Sequence, residues 1–179
     1  MPDQITYPTR KNIRLNEFNY SLEGYYFITI VIQNRINLFG QIQNSEMVLN
    51  DAGKTIDLSI NAISDIYPGV ILPHHVIMPN HIHFIIYLPG NIHLAEIIRR
   101  FKSYTTHLYI QGVKEHNWPR FDGKLWQHNY YEHIIRNERS YDFIRHYIIT
   151  NPLRWNKDAI NPNHDEDSDE IMKQVLELS

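Results

Sequence analysis

The sequence predicts an α+β fold, a ferredoxin-like sandwich in which helices pack on a central, mostly antiparallel sheet. Strand-like and helix-like segments follow one another in the order strand, helix, hairpin, helix, strand, helix. The central hairpin makes neighbouring strands antiparallel, and the last segment adds an extra C-terminal helix to the sandwich. With 179 residues, the chain is long enough for one domain with a substantial hydrophobic core.

One strand and one helix are predicted in the first part of the chain. Residues 25–32 are rich in β-branched and aromatic side chains, which is typical of a central strand. Asn50 or Asp51 can cap a helix that runs to about Ser64. Pro68-Gly69 then ends the helical pattern, because proline lacks an amide donor and glycine favours turns.

A hairpin and a long helix follow. Residues 70–78 and 81–88 have the composition of strands, and Pro79-Asn80 between them is a turn signal. From Asn91 onwards the apolar residues recur at helical spacing. The residues of this apolar face are Leu94, Ile97, Ile98, Phe101, Tyr104 and Leu108.

The last third of the chain predicts a loop, a strand and two helices. Residues 111–123 have the composition of a loop, and residues 125–136 are apolar and aromatic enough for the last strand. Ser140 can cap a helix that stops near Asn151-Pro152, because the residue before a proline disfavours the α conformation. Residues 171–178 predict a short terminal helix.

The formal net charge is −3, but it is unevenly spread along the chain. Residues 157–179 carry two lysines and seven acids, which leaves residues 1–156 at +2. We therefore predict a single domain over residues 1–156 and an acidic, partly mobile tail over residues 157–179. A domain at +2 is only weakly basic, so a site for an anionic partner such as DNA must be a local patch.

Several classes of protein are excluded by what the sequence lacks. It has no cysteine, so a disulfide, a thiolate metal ligand and a cysteine nucleophile are excluded. Because a chain without disulfides is compatible with a reducing compartment, we expect a cytoplasmic location. Residues 1–10 are polar and contain two prolines, so they do not form a signal peptide. No apolar run approaches the roughly 20 residues that span a bilayer, so no membrane partner is expected. A GxxxxGKS/T phosphate loop is also absent, and no nucleotide cofactor is expected.

His81 and His83 are the first candidate site. Side chains alternate along a strand, so residues i and i+2 share a face, about 6.5 Å apart at a rise of roughly 3.3 Å per residue. Two imidazoles at that spacing can converge on one cation. The apolar residues of the same strand would face the core, and they are Ile82, Phe84, Ile86 and Leu88. From spacing alone, two strand histidines without a ligand remain the simpler interpretation.

Tyr147 and Asn151 are the second candidate pair. They stand at i and i+4, about one turn apart on the same face of the predicted helix. A tyrosine hydroxyl has a pKa near 10, so it is a nucleophile only when its proton is removed or its developing charge is stabilised. The carbonyl oxygen of Asn151 could complete a metal site without adding charge. From spacing alone, a core tyrosine and a helix-terminal asparagine remain the simpler interpretation, and Tyr130, Tyr131 and Tyr141 are alternative nucleophiles.

Three stretches form an ordered set of motifs: VIMPNHIH at residues 76–83, LWQHNYYEHIIRNE at residues 125–138 and YIITNP at residues 147–152. The set resembles the REP-associated tyrosine transposases, a branch of the single-tyrosine HUH transposases (histidine, hydrophobic residue, histidine). Residues 14–40 also look like this family, and the similarity covers roughly residues 10–155. Three motifs in the same order are far more specific than any one of them.

The resemblance implies a DNA endonuclease and strand transferase that cleaves single-stranded or hairpin DNA through a 5′-phosphotyrosine intermediate. It implies that His81 and His83 bind Mg²⁺ or Mn²⁺, with zinc as an alternative, and that Tyr147 is the nucleophile. Asn151 is suggested as the third ligand, although related transposases place a glutamine at that spacing. Relatives of this family pair their subunits, so a homodimer is also suggested. The fallback ligands are Gln127 and His133.

A DNA strand needs cationic and stacking contacts. The candidates lie on the long helix after the hairpin and around the last strand, and they are Arg99, Arg100, Lys102, Trp126, Tyr130, Arg136 and Arg139. Each is equally compatible with a solvated helix face or a core aromatic. Three rival functions stay open: a nicking enzyme of the replication-initiator or relaxase type, a DNA-hairpin-binding protein without catalysis, and a metal hydrolase that uses water.

Overall fold

The computed structural model describes residues 23–163. Its strands are β1 (Gly24–Val31), β2 (Gly40–Gln43), β3 (Glu46–Leu49), β4 (Ile71–Ile77), β5 (His81–Leu88) and β6 (Tyr131–Ile135). Its α-helices are α1 (Asp51–Asn61), α2 (Ile63–Ile66), α3 (Leu94–Glu115) and α4 (Glu138–Thr150). Short 3₁₀ helices lie at Gln33–Arg35 and Pro152–Lys157.

The main sheet has four antiparallel strands in the order β4-β5-β1-β6. This order places the first strand of the chain in the interior of the sheet, between β5 and β6, as a ferredoxin-like sandwich requires. The predicted fold class is therefore confirmed. β2 and β3 form a separate two-stranded hairpin.

The two faces of this sheet are covered by different helices. On the first face, α1 and α3 pack their apolar stripes against β1 and β5, with Ile56 and Ile60 from α1 and Ile97 and Phe101 from α3 in one core cluster. On the second face, α4 packs against a smaller cluster around Phe27. We call these the core face and the site face, because the candidate chemistry lies on the second.

Helix α3 is longer than the sequence predicted. Residues 111–115, assigned to a loop, continue the helix, because its buried stripe runs on through Thr105, Tyr109 and Gly112. A side chain at Gly112 would overlap the ring of Trp118, so glycine here allows close packing of the chain that follows. Tyr104, predicted on the apolar face, is 56% exposed, because Thr105 occupies that stripe instead.

The structure differs from the predicted strands in two further places. The last strand spans only β6, whereas residues 125–136 had been predicted; Leu125 and Trp126 are buried outside it, with an isolated bridge from Trp126 to Ile32. The β2–β3 hairpin was missed, although Asn44 and Ser45 at its turn take the positive φ angles of a hairpin turn. Short strands with half-buried side chains give only a weak period-two pattern.

The helix caps follow local chemistry. The side chain of Asn50 accepts a hydrogen bond from the Gly53 amide at 2.9 Å, so Asn50 caps α1 rather than Asp51. Helix α4 is capped by Asn137, whose Oδ1 accepts from the Ser140 amide at 2.8 Å. The predicted cap at Ser140 was therefore wrong by one turn.

The region around the predicted start of the acidic tail is partly described. Residues 158–161 pack on the domain, with Asp158 and Asn161 buried. The predicted helix over residues 171–178 lies outside the described residues. Across residues 23–163, every helix is too short or too polar to cross a membrane.

Candidate active site

The histidine pair lies on the site face, as strand alternation predicted. Ile82, Phe84, Ile86 and Leu88 of β5 all point into the core face. His81 and His83 point to the opposite side and are completely buried. Their Nε2 atoms approach to 3.0 Å, so both rings converge on one point.

The outer nitrogen of each ring has its own partner. His81 Nδ1 lies 2.9 Å from Asn80 Oδ1, on the residue immediately before it. His83 Nδ1 lies 2.8 Å from Thr29 Oγ1 on β1, the residue that pairs with it across the strands. These contacts fix the ring orientations and leave both Nε2 atoms facing each other.

Asp158 completes the cluster, and sequence reasoning missed it. Its Oδ2 lies 3.4 Å from His81 Nε2, and the ligand atoms of His81, His83 and Asp158 all fall within 4.8 Å of one another. We had placed Asp158 among the acids of the tail, because a charge run gives no hint of which member folds back. Its position two residues before Ile160, whose amide donates to Asp158 Oδ1 at 2.7 Å, is a local turn that the sequence permits.

Burial favours the neutral form of both imidazoles. Burial lowers the pKa of His81 to about 3, although Asn151 beside it favours the charged ring. Burial, and then the neighbouring His81, hold the pKa of His83 well below its usual value, while Asp158 opposes that shift. A neutral imidazole with a free lone pair is the form that binds a metal.

Tyr147 reaches the same cluster from α4. Its hydroxyl lies 3.3 Å from His83 Nε2, and the side chain is only 1% exposed. Phe27 stacks on the His83 ring at 5.4 Å and meets the Tyr147 ring edge-on at 6.0 Å, which holds both rings in place. The sequence could not show that helix and strand meet here.

The chain after α4 covers the cluster. Trp155 stacks over the His81 ring with a centroid distance of 6.1 Å. Arg35 donates from Nη1 to the carbonyl oxygen of Ala159 at 2.9 Å, and Asn80 Nδ2 donates to that of Ile160 at 3.2 Å. Residues 152–161, which we call the covering segment, therefore close the site from solvent.

The donor set fits a divalent cation. The two Nε2 atoms face each other at 3.0 Å, while Asp158 Oδ2 and Asn151 Oδ1 are buried without a hydrogen-bond partner. Buried polar atoms without partners are costly, and a cation among these four would satisfy them together. This set of two imidazoles, one carboxylate and one amide oxygen suits Mn²⁺ best. It suits Mg²⁺ and Zn²⁺ less well.

The fallback ligands lie elsewhere. Gln127 lines a cleft beside α3. His133 is on β6, and β1 separates that strand from β5, which carries His83. Of the alternative tyrosines, Tyr130 also lines the cleft, and Tyr141 packs against Tyr25 with a centroid distance of 5.3 Å.

Four of the seven residues predicted to contact DNA line one cleft of about 720 Å³ between α3 and residues 123–130. They are Arg99, Lys102, Trp126 and Tyr130. Arg99 is exposed, whereas the Lys102 ammonium donates to the carbonyl oxygens of residues 127, 128 and 129. Trp126 is 4% exposed, and its indole donates to Thr105 Oγ1 at 2.9 Å, so it forms a fixed wall.

The other three predicted contacts do not line this cleft. Arg100 pairs with Glu96 at 3.1 Å on the surface of α3. Arg136 and Arg139 are exposed near the start of α4. All three remain predictions as DNA contacts.

Fold and site together define a class of protein in which a ferredoxin-like sheet presents a His-x-His pair to a tyrosine on a following helix. Residues 24–151 match the family model described as IS200-like transposase, so the chain belongs to that family. The resemblance predicted from the three motifs is thereby confirmed.

Two relatives from Haemophilus influenzae strain Rd are similar over most of their length. One, an uncharacterised protein, is 38% identical over 166 residues, which cover 84% of this chain and 92% of the relative. The other, provisionally named a REP-associated tyrosine transposase, is 27% identical over 143 residues, covering 76% and 74%. Family membership supports a transposase-like role in DNA processing.

Two solved structures share the fold. A REP-associated tyrosine transposase bound to a REP hairpin superimposes with a TM-score of 0.58 at 23% identity, covering 76% of this chain and 71% of that one. A protein from Deinococcus radiodurans R1, provisionally identified as a transposase, gives a TM-score of 0.51 at 13% identity, covering 80% and 96%.

Proposed function

We propose that this protein cleaves single-stranded DNA and transfers the strand through a covalent bond between Tyr147 and a 5′-phosphate. The observation that carries the proposal is the distance of 3.3 Å between the Tyr147 hydroxyl and His83 Nε2 in a buried donor cluster. A nucleophile and a cation site that meet in one place have the geometry of phosphoryl transfer.

The bond changes are simple. The Tyr147 oxygen attacks phosphorus and forms a new P–O bond, while the bond from phosphorus to the 3′-oxygen breaks. The phenol loses its proton to solvent, and the departing oxygen takes one up to become a 3′-hydroxyl. Attack by another 3′-hydroxyl on the phosphotyrosine reverses the bond changes and joins strands, so the phosphodiester energy is conserved and no nucleotide is consumed.

His81, His83 and Asp158 would hold the divalent cation, Mg²⁺ or Mn²⁺, with Asn151 as the fourth donor. A cation held there would supply Lewis acidity at the scissile phosphate. A cation bound at His83 Nε2 would occupy the atom that the Tyr147 hydroxyl contacts at 3.3 Å, so cation binding would replace that contact.

DNA can reach Tyr147 only after the covering segment moves. Tyr147, His81 and His83 are buried, and Trp155 stacks over the pair. The described contacts that hold the segment include the stacking of Trp155 on His81 and the hydrogen bonds from Arg35 to Ala159 and from Asn80 to Ile160. Local opening of such a segment costs less free energy than global unfolding.

The DNA partner we propose is a hairpin with an adjoining single strand. The solved relative bound to a REP hairpin supports this choice of substrate. The cleft beside α3 offers an exposed cation in Arg99 and an aromatic face in Tyr130, the two kinds of contact that an unpaired strand uses. Among the described residues, His81, His83, Asp158 and Tyr147 come together within a single chain.

The test is a covalent-adduct assay. We expect the protein, incubated with a hairpin oligonucleotide and Mn²⁺ or Mg²⁺, to form an adduct that survives denaturation and maps to Tyr147. Tyr147→Phe should remove the adduct, because only the reacting oxygen is lost, and its Mn²⁺ binding should remain. His81→Ala should lose both the adduct and the cation.

Each rival function predicts a different result. Hairpin binding without an adduct in the wild type would indicate a non-catalytic binding protein. Cleavage that survives in Tyr147→Phe would indicate a hydrolase that uses water. An adduct that maps to Tyr130 or Tyr131 would overturn the assignment of the nucleophile. Cleavage at a replication origin or plasmid nick site, with hairpins ignored, would favour a replication initiator or relaxase.

A further inference from the structure

Asn80 stands at the junction of three structural elements. It is fully buried in the turn between β4 and β5, and its backbone carbonyl accepts from the Ile32 amide at 2.8 Å. Its side-chain Nδ2 donates to the carbonyl oxygens of Arg35 at 2.9 Å and Ile160 at 3.2 Å. Its Oδ1 lies 2.9 Å from His81 Nδ1.

These contacts leave one orientation for the amide. The backbone oxygens of Arg35 and Ile160 can only accept hydrogen bonds, so the group that faces them must be the NH₂. The other atom of the Asn80 amide is then the oxygen, which can only accept. His81 Nδ1 must therefore carry the proton, and His81 Nε2 presents a lone pair.

His83 is held differently. Its Nδ1 meets the hydroxyl of Thr29 at 2.8 Å, and a hydroxyl can donate or accept. Without a cation, His83 Nε2 can donate to His81 Nε2 at 3.0 Å while Thr29 donates to His83 Nδ1. With a cation bound, the Thr29 hydroxyl can rotate to accept, and His83 frees its Nε2.

From this asymmetry we infer that Asn80 is a positioning residue that fixes His81 as the Nδ1–H tautomer before any cation binds, while Thr29 lets His83 change tautomer. The inference deepens the proposed function and rests on it for the role of the cation. Outer partners of this kind typically change metal affinity 10- to 100-fold when removed. His81 would bind the cation in the tautomer that it already has, whereas His83 would change tautomer on binding.

The test is ¹⁵N NMR of the imidazole nitrogens in the full-length protein, without metal and with Mg²⁺, together with Mn²⁺ titration followed by electron paramagnetic resonance. We expect His81 as the Nδ1–H tautomer in both states, and His83 to change from Nε2–H to Nδ1–H when Mg²⁺ binds. Asn80→Leu should give mixed His81 tautomers and bind Mn²⁺ about 10- to 100-fold more weakly.

Two controls separate tautomer control from a general loss of structure. Asn91→Leu, at an exposed asparagine, should leave both the spectra and the affinity unchanged. Thr29→Val should alter the His83 signals and leave His81 as Nδ1–H. If Asn80→Leu does not fold, the wild-type NMR spectrum still shows whether His81 is protonated at Nδ1.

A wild-type His81 protonated at Nε2 would overturn the inference, and so would a folded Asn80→Leu that binds Mn²⁺ within twofold of the wild type. Neither measurement uses DNA. If the protein shows the expected tautomers but forms no adduct, the proposed function is refuted and the inference about the tautomers stands.

Discussion

The two faces of the main sheet are built from the same strands but from opposite kinds of chemistry. On the core face, β5 contributes Phe84 and Ile86 to a large apolar cluster closed by α1 and α3. On the site face, the same strand contributes His81 and His83, closed by α4 and the covering segment. One strand thus serves stability and chemistry through alternate residues.

The difference lies in what each face gains from burial. Apolar side chains on the core face gain free energy by leaving water, about 25 cal/mol per Å². The imidazoles and the Asp158 carboxylate on the site face lose hydration, and their hydrogen bonds to Asn80, Thr29 and the Ile160 amide replace only part of it. Buried polar groups that are incompletely satisfied mark the functional face of this sheet.

The largest expected contrast is between Phe84→Ala and Tyr147→Phe. Phe84→Ala should lower the free energy of unfolding by about 3–5 kcal/mol, because it opens a cavity in the core face. Tyr147→Phe removes one hydroxyl with a contact of 3.3 Å and should cost at most about 1.5 kcal/mol. Urea unfolding of both variants measures this, and equal losses would refute the division between the two faces.

A smaller effect should appear in the pH dependence of metal-free protein. Burial lowers the pKa of His81 from 6.5 to about 3 in the folded state, so the unfolded chain binds more protons in that interval. Stability should therefore fall as pH drops from about 6.5 towards 3, with a slope of up to about 1.4 kcal/mol per pH unit from His81. His83, whose pKa is also lowered, adds to the same trend.

Unfolding in urea with a chelator, at several pH values between 4 and 7, measures this slope. His81→Gln should flatten the dependence, and His93→Gln, at an exposed histidine on the loop before α3, should not. An unchanged slope in His81→Gln would show that the buried imidazole is not the source.

The smallest effect concerns the cleft beside α3. Arg99→Ala should weaken binding of a hairpin oligonucleotide a few-fold and reduce the slope of log affinity against log salt by about 1, because one phosphate contact is lost. Arg100→Ala is the matched control, since Arg100 is adjacent but pairs with Glu96 at 3.1 Å. Fluorescence anisotropy at several salt concentrations measures both. If Arg100→Ala weakened binding of the hairpin equally, the cleft would not be the specific site of DNA contact.

Periodicity explains which parts of the fold the sequence could predict. The alternation in β5 placed His81 and His83 on one face and Phe84 on the other, because side-chain direction in a strand is a local property. The C-terminal limit of α3 was misjudged, because its buried stripe continues through polar or small residues, Thr105 and Gly112. Their burial depends on Trp118 and Trp126, which pack on them from the following chain.

The histidine pair, the spacing of Tyr147 and Asn151 and, through the ordered motifs, the family were all predictable from the sequence. These are local patterns, readable from side-chain period and residue type. The meeting of Tyr147 with His83, and the place of Asp158 in the donor set instead of an acidic tail, became visible only in the folded chain. Both depend on contacts between residues that are 64 and 77 positions apart in the chain, which long-range packing creates and no local pattern encodes.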